Sequence, residues 1–123
     1  RIATTGAQAT DEDTLIENVT ALIGETFFPD NFGVILIDRA TGILHSHSSY
    51  RDRFGAKHVA LPVGRGITGQ AAATGQPRRV PDVRLDPDYV AGESRTRSEL
   101  SVPLKVGGRV IGVINAESTR AAR

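Results

Sequence analysis

Apolar positions follow two rhythms along this chain. Between Asp11 and Asp30, Leu15, Ile16, Val19, Leu22 and Ile23 recur every three to four residues, which draws one apolar stripe along an amphipathic helix. Asp11-Glu12-Asp13 supply acids where the positive end of the helix dipole would lie, Gly24 weakens the far end and Pro29-Asp30 closes it, so the helix is expected over residues 11–28. The rhythm then changes to short β-branched runs. Gly33 to Asp38 (GVILID) suits a buried strand, and Asp38-Arg39-Ala40-Thr41-Gly42 is a turn. Ile43 to Tyr50 alternates, with Ile43, His45, His47 and Ser49 on one face and Leu44, Ser46, Ser48 and Tyr50 on the other. These two runs make a hairpin. Arg51 to Ala56 reads as a charged loop and His58 to Leu61 as a third short strand.

The stretch Leu61 to Val83 organises the second half of the chain. Glycines at 64, 66 and 69 form a tight turn, and an Ala-rich helix runs until Gly75 stops it. Arg78 to Val80 is a short strand, and a long polar loop spans 82–98, with one helical turn at Asp86-Pro87-Asp88-Tyr89. Ser98 to Val106 is a strand in which Pro103 marks an edge or a bulge. Gly107-Gly108 fits a two-residue hairpin turn, and Arg109 to Glu117 is the final strand, where Gly112 lets another element pack close. Thr119 to Arg123 is expected to open a further helix. The order α-β-β-β-α-β-loop-β-β is dominated by hairpins, so the fold class is α+β: a central antiparallel sheet of about six strands, with helices packed on it. Residues 31–118 form the sheet core of one domain, 1–123.

Composition narrows the function. A net charge of +1, with 15 Lys and Arg spread along the chain, gives no pull toward nucleic acid. No apolar run is long enough to span a membrane, and there is no signal-peptide core. With no cysteine, the chain has no disulfide, thiolate nucleophile or Cys-zinc site. The absence of methionine leads us to expect a piece of a longer protein.

Candidate chemistry is sparse. Gly64-Arg65-Gly66-Ile67-Thr68-Gly69 matches GxGxxG literally, but a dinucleotide fold needs a longer first strand and a buried parallel second strand, and here Arg78-Arg79-Val80 runs into Pro81. These glycines are read as turning and close-packing residues, with anion binding at the helix start left open. His45 and His47 share a strand face, with His58 as a third imidazole, but no carboxylate or Cys completes a metal set; a solvated face is preferred. Ser94, Ser98 and Ser101 have no His close in sequence, and Asp86 with Asp88 reads as turn chemistry, so no catalytic residue is assigned. Arg78, Arg79, Arg84, Arg95 and Arg97 form either a solvated edge, which is favoured, or a guanidinium cluster for an anionic ligand under the loop.

Four stretches in order carry a family resemblance: Gly64-x-Gly66-x-x-Gly69-Gln70-Ala71-x-x-Thr74-Gly75-x-Pro77; Val80-Pro81-Asp82-Val83; Arg97-Ser98-Glu99-Leu100-Ser101-Val102-Pro103-Leu104; and Gly108-x-Val110-Ile111-Gly112-Val113-Ile114. Together, from about Phe32 to Glu117, they resemble the GAF domain family. The resemblance implies a PAS-like regulatory sensor fold, with dimerising helices on one face of the sheet and a small-molecule pocket on the other. It excludes bilin attachment through a GAF cysteine, and it sets aside the free-methionine-sulfoxide reductases, which need cysteines. Ser118-Thr119 stand where cyclic-nucleotide members carry Asn-Lys, and the loop 82–98 has no His of the haem-binding kind; both departures speak against those ligands.

The expected function is therefore a non-catalytic, cytoplasmic sensing domain of a bacterial signal-transduction protein, such as a two-component sensor histidine kinase. An unknown small molecule would bind among Val83, Tyr89, Arg97, Ser98, Ser101 and Asn115. Binding would shift the flanking N- and C-terminal helices, through which the domain forms a homodimer, and so bias a covalently attached output domain. The alternative expectation is a structural dimerisation module without a ligand.

Overall fold

The computed structural model describes residues 13–18, 20–22, 30–52, 60–90 and 96–121. Expectations for Asp11, Val19, the helix end at 23–29, the loop at 53–56, His58, Ser94 and Arg95 fall outside these residues.

Residues 13–18 and 20–22 are helical (α1). The strands are β1 (Asn31–Asp38), β2 (Ile43–Ser46), β3 (Arg51–Asp52), β4 (Ala60–Pro62), β5 (Arg78–Val80), β6 (Ser98–Val106) and β7 (Arg109–Ser118). A second helix, α2 (Gly66–Thr74), lies between β4 and β5. All pairings are antiparallel, in the order β4-β2-β1-β7-β6-β5, with β3 also on β1. The fold is α+β, as expected.

Alternation along the long central strands gives the sheet two different faces. On one, Ile35, Leu44 and Val113 pack with Ala71 and Ala72 of α2, and Ile37, Tyr50 and Val110 close the margin. Ile67, Val80 and Val83 form a second cluster with Tyr89 against it. The small residues of α2 let the helix lie close over β6 and β7. On the other face, Leu15 and Ile16 of α1 stand over Val34, Leu36, Leu104, Ile111 and Ile114, leaving an apolar cleft of about 270 Å³.

Local structure departs from expectation at three places. First, β2 stops at Ser46 instead of running to Tyr50. The His47 N–H donates to the Val34 carbonyl, Tyr50 N–H donates to the His47 carbonyl, and Ser49 N–H donates to His47 Nδ1. Serine and histidine side chains here offer the backbone a turn in place of the ladder. The chain re-enters the sheet at Arg51–Asp52, which was expected to be loop. Second, the helical turn of the long loop is Val83–Leu85, where Asp82 caps the Arg84 N–H; Asp86–Tyr89 is a plain turn. Third, residues 119–121 are not helical.

Pro103 is tolerated because β5 covers only Glu99–Ser101, so from Val102 onward β6 is paired on one side alone. The ladder irregularity comes just after, at Leu104/Lys105. The Gly107-Gly108 turn has positive φ at both residues.

Gly112 sits where β7 passes close to β1: a Cβ there would lie 2.5 Å from the Ile35 carbonyl oxygen and 3.1 Å from Leu36 Cδ2. The obstacle is backbone of the central strand, which cannot rotate aside. Gly112→Ala is therefore expected to destabilise the fold by about 2–3 kcal/mol, read as a lowered denaturation midpoint. A midpoint within error of wild type would refute the close approach.

Candidate functional site

The face beneath α2 carries a run of polar residues that the periodicity of the strands brings together. In β6, Glu99 and Ser101 point the same way; in β7, Asn115 and Glu117 do. Their register places Glu99 opposite Glu117 and Ser101 opposite Asn115. Thr68 descends from the first turn of α2. Thr68, Glu99, Ser101 and Asn115 are all buried, Ser101 fully.

Asn115 is the hub. Its Oδ1 accepts from Ser101 Oγ at 2.6 Å and from Thr68 Oγ1 at 3.3 Å. Its Nδ2 donates to Tyr50 Oη at 3.0 Å and to Glu117 Oε2 at 3.1 Å. The other Glu117 oxygen accepts from Thr96 Oγ1 at 2.8 Å. Tyr50 reaches the hub because Gly33 has no side chain: a Cβ on Gly33 would lie 2.6 Å from the Tyr50 ring and 2.8 Å from its Cα.

The electrostatics of the cluster are acidic. Burial pushes the Glu99 carboxyl up to about 8, and the facing charge of Glu117 adds to it; hydrogen bonds from Thr68 and Asn115 and the charge of Arg78 oppose the rise. Glu99 is thus largely protonated at neutral pH. Burial, then Glu117, also raises the Tyr50 phenol, which stays neutral. Arg78 is engaged with Asp86 at 2.8 Å and Asp88 at 3.4 Å. The floor therefore combines a neutral carboxylic acid that can donate with a carboxylate and a carboxamide that can accept.

Of the six residues expected to bind ligand, Ser101 and Asn115 meet in this cluster. Val83 and Tyr89 lie beside it in the second apolar cluster. Arg97 holds Asp82 at 3.3 Å on the rim. The side-chain bond from Arg84, first, and that from Arg97 keep the Asp82 carboxyl well below the usual carboxylate range. Ser98 faces the other way, its Oγ donating to the Arg120 carbonyl at 2.6 Å. The sequence expectations left out Thr68, Glu99, Glu117 and Tyr50. The signal for two of them was present: Glu99 stands two residues from Ser101, and Glu117 two from Asn115.

The histidines stand apart. His47 Nε2 is 3.0 Å from Asp13 Oδ1 of α1, and His45 alternates away from buried Leu44, so both belong to the opposite face. Among the described residues no group of three or more His, Cys, Asp or Glu is arranged to hold a metal ion, and no helix is long and apolar enough to cross a membrane.

Residues 9–123 match the family model of the GAF domain. Protein YtsP of Bacillus subtilis is 37% identical over 60 residues, which is 49% of this chain and 37% of the relative. Free methionine-R-sulfoxide reductase of Escherichia coli is 39% identical over 61 residues, 50% of this chain and 37% of the relative. The matched segments are thus well under half the length of these curated relatives. Among solved structures, free methionine-R-sulfoxide reductase from Neisseria meningitidis, in complex with its substrate, is similar with a TM-score of 0.81 at 34% identity, over 90% of this chain and 65% of that one.

These likenesses correct the functional expectation. The similar proteins include free methionine-R-sulfoxide reductases, which are enzymes. They overturn the expected non-catalytic sensor domain of a histidine kinase and its alternative, a dimerisation module without ligand. The output domain driven through flanking helices rested on the sensor expectation and falls with it. The chain has no cysteine, yet its likeness to these reductases holds in sequence and in fold.

Proposed function

The chain belongs to the GAF domain family, and on that premise we propose that it binds free methionine-R-sulfoxide on the Glu99–Asn115–Glu117 floor and supports its reduction to methionine. The observation that carries this is the buried cluster in which Glu99 lies against Thr68 and opposite Glu117, where burial favours its protonated form. A sulfoxide oxygen is a strong acceptor, and a neutral carboxylic acid is the donor that suits it. Ser101 and Asn115 hold the floor, Val83 and Tyr89 offer an apolar wall for the methionine side chain, and Arg97 offers a guanidinium for the α-carboxylate.

Reduction breaks the sulfur–oxygen bond. The sulfur gains two electrons, and the oxygen leaves as water with two protons. Glu99 gives the first proton and is refilled from solvent. The electron pair comes from two thiols that end as a disulfide, and these lie outside the 123 residues, which contain no cysteine.

Isothermal titration with both sulfoxide epimers and methionine tests the binding, and methionine release in the presence of dithiothreitol tests the reduction. The R epimer is expected to bind about tenfold or more tightly than the S epimer, and methionine is expected to form only with the dithiol. No binding of either epimer would end the proposal; binding without methionine formation would end the reductive half.

A further inference from the structure

We propose that Thr68 is the positioning residue that sets when Glu99 gives up its proton. The inference rests on Glu99 as the acid of the proposed sulfoxide site, but it concerns the free protein. Thr68 is 4% exposed and is surrounded on α2 by Gly66, Ile67, Gly69, Ala71 and Ala72. A threonine inside a helix ordinarily bonds back to the carbonyl four residues earlier. Thr68 stands in the first turn of α2, so the residue four earlier lies outside the helix, and its Oγ1 reaches across to the sheet.

Three groups compete for it: Asn115 Oδ1 at 3.3 Å, Glu99 Oε2 at 3.4 Å and Ser101 Oγ at 3.5 Å. The hydroxyl has one proton, and all three distances are long for an O–H···O bond, so it is committed to none. Asn115 Oδ1 already has a close donor in Ser101, at 2.6 Å. The state of Glu99 therefore decides. When Glu99 is ionised, Thr68 turns its proton to the carboxylate. When Glu99 is neutral, Thr68 donates to Asn115 and accepts from the acid.

Other groups facing Glu99 act in fixed directions. Glu117 on β7 opposes ionisation, while Arg78 on β5 and the Asn115 amide favour it. Tyr50 stands behind the hub as a neutral phenol. α2 brings no charged side chain, so Thr68 is its whole contribution.

The test follows the Glu99 side-chain carboxyl by ¹³C NMR against pH in ligand-free wild type, Thr68→Val and Thr68→Ser. The valine variant is expected to raise the titration midpoint by about half to one pH unit, because the carboxylate loses a donor, and the serine variant restores the wild-type midpoint. In wild type, the Thr68 methyl shift is expected to move with the Glu99 midpoint, which settles the matter even if the valine variant does not fold. An unchanged midpoint in Thr68→Val, a serine variant that behaves like valine, or a Thr68 methyl that ignores the titration would overturn the proposal. Failure of sulfoxide binding would leave it standing, since no ligand is present.

Discussion

Replacing Ile35 with alanine is expected to remove about 3–4 kcal/mol of stability, a large share of what a domain of this size holds. Ile35 is fully buried in β1, with β2 on one side and β7 on the other. Its side chain packs with Leu44, Val113, Ala71 and Ala72. Truncation loses the transfer free energy of the removed carbons, about 0.8 kcal/mol each, and leaves a cavity. Collapse into that cavity is poor. The helix residues facing it are alanines, which have no side chain to extend, and α2 already lies against backbone: a Cβ on Gly69 would meet the Pro62 carbonyl at 2.9 Å. Ile35→Val, which removes one carbon, is expected to cost about 1 kcal/mol. Chemical denaturation of the three proteins measures both steps. An alanine cost near that of valine would mean that the core between α2 and the sheet is loosely packed.

The elements were legible where a local rule and the global fold agree. Gly64 to Gly75 announced α2, and Gly107-Gly108 announced the β6–β7 turn, because backbone conformation alone dictates those residues. The end of β2 was not legible: His45 to Tyr50 keeps its alternation, and only side-chain bonding by His47 and Ser49 turns the chain. The site was half legible. Ser101 and Asn115 are expected from the sequence and do meet in the candidate cluster, whereas Glu99 and Glu117 on the same faces are not expected there, since an acid in a strand ordinarily marks solvent. Period two fixes which residues share a face and leaves open which face is covered, so Ser98 was grouped with Ser101 although consecutive odd and even positions oppose each other. Thr68 gave no signal at all, because its helix is small and nearly uniform in polarity. Function was misjudged at a different level. Ordered motifs identify a fold, and the same fold carries sensors and enzymes.

Glu99→Gln is expected to separate binding from chemistry and to remove the decline of stability with rising pH that this group causes. In wild type the folded carboxyl titrates at about 8, against an ordinary value of 4.5 for an unfolded chain. Between those values the folded state holds a proton that the unfolded state has released. Stability from this group is therefore complete below pH 4.5 and declines as pH rises toward 8, by at most about 1.4 kcal/mol per pH unit. Glutamine cannot ionise, so the variant keeps a neutral donor at every pH. It should match wild type near pH 5 and exceed it by a few kcal/mol near pH 9, measured as denaturation midpoints across that range. Two other shifted acids stay out of this window: Asp82, depressed chiefly by Arg84, matters only in strong acid, and Tyr50, raised by burial, matters only above about pH 10. The catalytic consequence is opposite in sign. The amide can still hydrogen-bond a sulfoxide oxygen but cannot transfer a proton, so affinity is expected to stay within about threefold while turnover with dithiol falls about 100-fold. Wild-type turnover should itself fall as pH passes 8, and the residual rate of the variant should not. A variant that loses affinity and turnover together would make Glu99 a binding group only, and one that turns over normally would move the proton donor elsewhere in the cluster.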